Sequence, residues 1–332
     1  MAGKSSATKR VTMPTPLPNG TTNDTATATD THTDTGTDAP RNSARVDALA
    51  TFTAVRPRLF GIAYRMLGSA AEAEDILQDV WIKWQDYDHT SVDNTAAFLA
   101  TITTRLSINV AQSARSRRET YIGPWLPEPI DTSADPALGA ERGEALEFAV
   151  LILLEKLSPT ERAAYVLREA FDYPYSNIAE IVQLSEPAVR KLVSRARQHL
   201  TAERRRPAAE PEHRRLLSAF LSAAQTGDVD TLEKLFAADV VSYSDGGGVR
   251  LAARKPVLGR ERVAKFVAAF SSHFWTGVDL RWVEANGRPS VELSRDGVPF
   301  TILAVTTSES GIDQLLWLMN PSKLRPMESL AP

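Results

Sequence analysis

Across residues 203–213, ERRRPAAEPEH, the hydrophobic period of this chain changes. On the N-terminal side, apolar residues recur at steps of three and four, the spacing of one helix face. Beyond residue 240 they alternate or run in short blocks between turn dipeptides, as strands do. Helices that come first and strands that come afterwards do not interleave into βαβ units. They specify separate bodies, all-α followed by α+β. A length of 332 residues is enough for two or three such domains.

Bulk charge says little, because 38 Lys and Arg against 41 Asp and Glu leave a formal net charge of -3. The distribution says more: from Arg190 to Arg206 there are seven basic residues and one acid, Glu203. The chain has no cysteine, which excludes disulfides, thiolate metal sites and cysteine nucleophiles. Nothing in the residues calls for a metal or a cofactor. No apolar run approaches the ~18 residues of a membrane span, and the polar N-terminus has no signal-peptide core. A cytoplasmic protein without a membrane partner is expected. Nine of the twenty residues from Thr21 to Pro40 are threonine. Such a segment cannot bury enough apolar surface to offset its chain entropy, so residues 1–44 are expected to be disordered.

From Val46 to about Arg118 the pattern is helical. Phe52, Val55, Leu59, Ile62, Ala63 and Met66 make one stripe; Gly68 ends it, and Ser69 is placed to cap the next helix. That helix, Ala70 to Trp84, sets Ala73, Ile76, Leu77, Val80, Trp81 and Trp84 on one face and Glu72, Asp75, Asp79 and Lys83 on the other. One of the two tryptophans is expected in the core. After a polar loop, Asp88 to Thr95, a third helix runs from Ala96 to about Ala114 into Arg115, Arg117 and Arg118. A helix dipole accounts for terminal arginines. It does not account for the absence of any acid between Ala96 and Arg118; a DNA-facing role does. Residues 119–142 fit neither period and read as a proline-rich linker. Trp125 and Leu126, set among its prolines, read equally as a docked pair or an exposed turn.

The second helical domain spans 143–202. Leu146, Val150, Leu153, Leu154 and Leu157 form its first stripe, and Ser158-Pro159-Thr160-Glu161 is a helix start. Ser176 is expected to cap a helix from Asn177 to Val182, with Gln183-Leu184-Ser185 as the following turn. Ile178, Ala179, Ile181, Leu184, Val189, Leu192 and Val193 would bury the contact between the flanking helices. Glu186, Ala188, Arg190, Lys191, Ser194, Arg195 and Arg197 would face outwards. A short helix, a three-residue turn and a basic helix form a device for reading a DNA major groove.

Beyond a hinge at 203–212, a helix from Arg214 to Gln225 ends at Gly227, and Asp228 caps a short helix from Val229 to Phe236. Strand-like runs follow, with hairpin signals at Asn286-Gly287 and Asp296-Gly297. The expectation is two or three helices and a twisted antiparallel sheet. Asp245-Gly246-Gly247-Gly248 lacks the Gly-Lys-Ser/Thr ending and the following helix of a phosphate loop. Its glycines more simply permit a tight turn.

These residues carry a family resemblance. The helix containing Asp75-Ile76-Leu77-Gln78-Asp79-Val80-Trp81 resembles the core-polymerase-binding helix of extracytoplasmic-function (ECF) sigma factors. The run from Leu157 to Ile181 resembles their second conserved domain, and the likeness covers about residues 48–200. The last domain resembles the SnoaL-like (NTF2-like), cone-shaped α+β extension of one ECF subgroup. Trp125-Leu126-Pro127-Glu128-Pro129, Asp245-Gly246-Gly247-Gly248 and Asn320-Pro321-Ser322-Lys323-Leu324 each resemble a signature of that subgroup. Two positions depart from it: Val249, followed by Arg250, stands where a lysine is expected, and Ser322 replaces an acid. The resemblance implies a disordered tail (1–44), sigma domain 2 (45–118), a linker (119–142), sigma domain 4 (143–202), a hinge (203–212) and a SnoaL-like domain (213–332). It also implies two partners, core RNA polymerase and promoter DNA, and no catalysis. The extension would contact the sigma domains within the chain, in place of a separate anti-sigma protein.

Residue roles follow from the same likeness. Asp75, Gln78, Asp79 and Trp81 would meet polymerase. Asn94, Arg105, Asn109, Arg115, Arg117 and Arg118 would serve the downstream promoter element, where a base is captured from a single strand. In the basic helix, Arg190 and Arg195 would reach base edges, since arginine pairs bidentately with guanine. Lys191, Ser194 and Arg197 would meet phosphates. Regulatory contacts are expected at Trp125, Leu126, Pro127, Asp245, Gly246, Gly247, Gly248, Asn320, Pro321, Lys323 and Leu324. Two rivals stand beside this reading. An ordinary helix-turn-helix regulator leaves the acidic helix without a purpose. An enzyme in the cone would draw on Asp245 and His273, with Tyr243, Trp275 and Trp282 around them.

Overall fold

The computed structural model describes residues 39–88, 92–133, 146–203, 205–248 and 252–328, with side chains from residue 48 onward apart from 115, 116 and 325–328. The tail to residue 38, loop residues 89–91, the Arg115 side chain, linker and domain residues 134–145, and Val249-Arg250 therefore lie outside the described residues. From residue 44 onward the described chain forms one compact unit.

Helix α1 (Ala39–Leu67) begins well before the expected Val46 and ends at Gly68, whose φ of 65° suits a residue without a Cβ. Ser69 Oγ accepts from Glu72 N at 3.1 Å and starts α2 (Ala70–Gln85). Asn94 caps α3 (Thr95–Glu119) in the same way, accepting from Ala97 N at 3.0 Å. The third helix does not stop near residue 114, so Arg117 and Arg118 lie in its last turn. No proline or glycine interrupts it before Glu119, and a run of good helix formers continues.

Helix α4 (Phe148–Leu154) is followed by α5 (Pro159–Glu169), which opens on a complete capping box between Ser158 and Glu161. Helices α6 (Tyr175–Val182) and α7 (Glu186–Glu203) are the helix-turn-helix. Ser176 does not cap α6. The helix starts two residues earlier, after Pro174, whose ring holds φ at -60° and leads the chain into the first turn. Gln183, at φ 57°, ends α6 in the left-handed region. The reversal there leaves Leu184 exposed rather than in the core. Helices α1 to α7 share one apolar core that includes Leu59, Tyr64, Leu99, Leu154, Leu167, Ile178 and Val193. Burial of each such aliphatic side chain contributes about 1.5–3 kcal/mol, so the two helical domains are fused by the force that folds each.

In the extension, α8 (Glu210–Thr226) ends on Gly227 and α9 (Val229–Leu235) starts on Asp228, with Phe236 already in the first strand. Six strands follow: β1 (Phe236–Asp245), β2 (Val257–Leu258), β3 (Val278–Ala285), β4 (Arg288–Arg295), β5 (Val298–Ser308) and β6 (Gly311–Leu318). Their order is β2-β1-β6-β5-β4-β3. Every neighbouring pair is antiparallel except β1 and β6, which run parallel, so the expected antiparallel sheet is in fact mixed. The last strand returns beside the first after a long crossover, the only connection a parallel pair allows. That crossover carries α10 (Arg260–Ala269) and α11 (Ser271–Phe274), which the strand-like reading passed over. One sheet face packs with Phe220, Leu303, Val305, Leu315 and Trp317 under the helices. The other presents Ile302, Ala304, Leu316 and Leu318 to Leu126, Phe148 and Leu324. A sheet buried on both faces reads as apolar runs rather than clean alternation. Helix α12 (Pro321–Glu328) closes the described chain.

Candidate polymerase, DNA and interdomain sites

Helix α2 buries Ala73, Ile76, Leu77, Val80 and Trp84 and leaves Asp75, Gln78 and Asp79 exposed. Trp84 is the core tryptophan and donates Nε1–H to Ala48 O at 3.1 Å. Trp81 is half-buried, its ring 5.1 Å from that of Phe52 and next to exposed Ile82. An acidic row beside a half-exposed indole suits a basic helical partner.

On α7, Arg190, Lys191, Ser194, Arg195 and Arg197 are all exposed, opposite Val189, Val193, Ala196 and Leu200. Three of the arginines already hold acids. Arg190 donates to Glu186 at 2.5 Å and lies 4.3 Å over the Tyr175 ring. Arg195 pairs with Glu161, and Arg197 with Glu169 at 2.6 Å. Exposed pairs of this kind contribute about 0–1 kcal/mol, so a phosphate or a guanine edge can replace the carboxylate.

The arginines of α3 are placed differently. Arg105 donates to Ile181 O at 3.0 Å and Glu180 O at 2.9 Å, carbonyls of the last turn of α6. It thereby satisfies acceptors and meets the negative end of that helix. Arg118 donates to Glu155 and to Leu67 O, and its guanidinium lies 3.5 Å from the Trp125 ring centroid. Burial lowers its pKa to about 10. Arg117 pairs with Glu72 on α2, while Asn94 and Asn109 stay exposed. The residues expected to face DNA therefore divide. Arg105 and Arg118 hold the two helical domains together, where Arg58 also donates to Phe171 O and Arg162 to Met66 O.

The extension meets the linker through Asp245, fully buried at the end of β1. Its carboxylate accepts from Tyr121 OH at 2.5 Å, Leu126 N at 2.8 Å and Lys323 Nζ at 2.7 Å. Lys323 Nζ also donates to Leu126 O at 2.5 Å and sits 4.2 Å from the Trp125 ring. Burial lowers the lysine pKa, against the pull of Asp245. Asn320 donates to Tyr121 OH at 2.8 Å, and burial, followed by the Asp245 contact, pushes the tyrosine pKa up. At Gly247, φ 55°, a Cβ would stand 2.5 Å from Asn320 Nδ2, so the close approach needs glycine. Leu126 and Pro127 are buried, so the linker is docked rather than an exposed turn. Leu324 joins the Leu126 cluster and Gly246 is buried, whereas Gly248 and Pro321 are exposed.

Sequence reasoning assigned no role to Tyr121, Tyr64 or Glu128. Buried Glu128 accepts from Ser69 Oγ at 2.8 Å, Ala70 N at 2.7 Å and Ala71 N at 3.2 Å, at the positive end of α2. Its backbone N donates to Gly68 O, and its carbonyl accepts from Tyr64 OH at 2.6 Å. A carboxylate between two prolines in an otherwise apolar run was the available signal. The residues of the enzyme reading are dispersed: Asp245 belongs to the linker contact, His273 is exposed beside Ser272, and Trp282 lies exposed under Arg214. Of that set, Trp275 lines a small apolar recess with Phe270, Phe274 and Trp317. Among the described residues no helix is long and apolar enough to cross a membrane.

A helical domain with an exposed acidic helix, a second with a helix-turn-helix and a fused α+β extension define a promoter-recognition factor of the sigma class. The Sigma-70 region 2 family matches residues 51–118, and the Sigma-70, region 4 family matches 148–200. The ECF RNA polymerase sigma factor SigJ of Mycobacterium tuberculosis is 33% identical over 290 residues, covering 83% of this chain and 92% of the relative. A probable ECF RNA polymerase sigma factor of the same species, SigI, is 30% identical over 286 residues, covering 84% of this chain and 96% of its own. The crystal structure of M. tuberculosis SigJ matches with a TM-score of 0.68 at 30% identity, covering 84% of this chain and 98% of that one. The chain belongs to the ECF RNA polymerase sigma factors, which act in promoter-specific initiation of transcription.

Proposed function

We propose that this sigma factor is regulated within its own chain: the extension holds the linker and both helical domains in a closed arrangement that must open for promoter reading. The observation that carries this reading is the Asp245–Lys323–Leu126 contact, two buried charges closing on a linker backbone group. A separate anti-sigma protein is then unnecessary. In the closed arrangement Arg105 and Arg118 donate to the second helical domain, so these two serve the downstream element only after release. Asn94, Asn109 and Arg117 complete that surface. Asp75, Gln78, Asp79 and Trp81 meet core polymerase. Arg190 and Arg195 read bases of the upstream element, and Lys191, Ser194 and Arg197 hold its phosphates.

Run-off transcription with core polymerase, on a promoter selected by the holoenzyme, tests the reading by setting the parent protein beside Asp245→Asn, which weakens the Asp245–Lys323 contact. Equal yield from the two refutes it. Arg190→Ala should cost about 1–3 kcal/mol at one promoter position and relax specificity there. An equal loss on every promoter variant would remove Arg190 from the base-reading set.

A further inference from the structure

We infer that Asn286, at the tip of the β3–β4 hairpin, is a positioning residue that couples the release of the two helical domains, so that they leave the extension together. The inference rests on the closed arrangement proposed above. Asn286 is fully buried, with φ 56°. Its Oδ1 accepts from Ile130 N of the linker at 3.1 Å. Its Nδ2 donates to Tyr64 OH on α1 at 2.6 Å and to Leu146 O, just ahead of α4, at 3.0 Å. Its own backbone N donates to Ile130 O at 3.0 Å. One side chain therefore fastens the first helical domain, the linker and the second helical domain.

The flanking residues of the hairpin reach the linker and the second helical domain as well. Ala285 bridges to Asp131, Gly287 N donates to Thr132 Oγ1 at 2.8 Å, and Arg288 pairs with Glu147 at 3.0 Å. A side-chain amide carries two donors and an acceptor in one plane without a charge, which is what these partners require. Departure of either domain alone would leave a buried donor of this amide unmatched. Unmatched buried groups are unfavourable, so loss of the first contact favours loss of the second.

The chain has no cysteine, so Arg262→Cys on α10 paired in turn with Lys83→Cys on α2 and with Gln198→Cys on α7, all at exposed positions, accepts a donor and an acceptor dye in the full-length protein. Energy transfer in each pair reads the distance of one helical domain from the extension. Asn286→Asp puts a carboxylate oxygen against the Leu146 carbonyl and should raise the open-to-closed ratio at least about tenfold. Tyr64→Phe removes the bond of the amide to the first helical domain, together with the Tyr64 OH donation to Glu128 O, and should shift the ratio in the same direction. The double variant should fall short of the sum of the single effects, because both changes remove the Asn286–Tyr64 contact. Additive effects, or variants that transfer energy as the parent does, overturn the coupling while leaving the closed arrangement intact. A parent protein that is already open without polymerase overturns both.

Discussion

Lys323 is a cation removed from water and matched to one carboxylate, so its worth depends on Asp245 remaining opposite it. Lys323→Met keeps the aliphatic stem but leaves Asp245 buried without a countercharge. It should destabilise the folded protein by about 3–5 kcal/mol in chemical denaturation, with Lys323→Met/Asp245→Asn less affected. A double variant as unstable as the single one would mean that the carboxylate never needed the cation. His213 on α8 shows the opposite solution, a buried group kept neutral. Its Nε2 lies 2.9 Å from Pro289 O, which only accepts, so Nε2 carries the proton and Nδ1 accepts from Thr307 Oγ1 at 2.9 Å. Burial lowers its pKa below the ordinary imidazole value of about 6.5. Between the lowered pKa and about 6.5 the unfolded chain binds more protons than the native one, so stability falls as pH drops through that window. His213→Gln should flatten the dependence of Tm on pH there; an unchanged slope would assign it to other groups. The sequence shows that Lys323 and His213 are ionisable, but burial and partner decide whether each is charged, and both partners lie far along the chain.

At the scale of elements, helix ends were the most legible feature. Gly68, Ser69, Asn94, Ser158 with Glu161, Gly227 and Asp228 act within a few residues of themselves, and each except Asn94 was readable as an end signal before the fold was known. The second capping group of α2 was not readable, because Glu128 arrives from 58 residues away to meet Ala70 N. Glu128→Gln keeps the shape and removes the negative charge from the helix N-terminus. It should lower stability by about 1–2 kcal/mol, measured by thermal unfolding with Ser69→Ala as the local-cap comparison. An effect well below that of Ser69→Ala would make Glu128 a spectator. The parallel β1–β6 pair was equally hidden, since strand direction depends on where the chain returns rather than on strand composition. Helix α10 was missed because its buried residues, Val263, Ala264 and Val267, form a stripe too short to stand out from the strand-rich surroundings.

Over the whole molecule, the extension meets the linker and the helical domains through residues more than one hundred positions apart in the chain. Removing the chain from Met319 onward deletes Asn320, Lys323 and Leu324 and should loosen the closed arrangement. Polymerase affinity or run-off yield should change by at least about fivefold, the range of ordinary coupling between sites; matching values for full-length and truncated protein would rule out regulation by this route. The two helical domains, the helix-turn-helix and the strand-rich extension were written in the sequence, because periodicity and turn chemistry operate over a turn or a pleat. Exposed Arg190 and interdomain Arg105 look alike in that record, as do a solvated Asn-Gly turn and the buried Asn286. Only the tertiary structure told them apart, because burial and long-range hydrogen-bond partners exist only once distant segments have met.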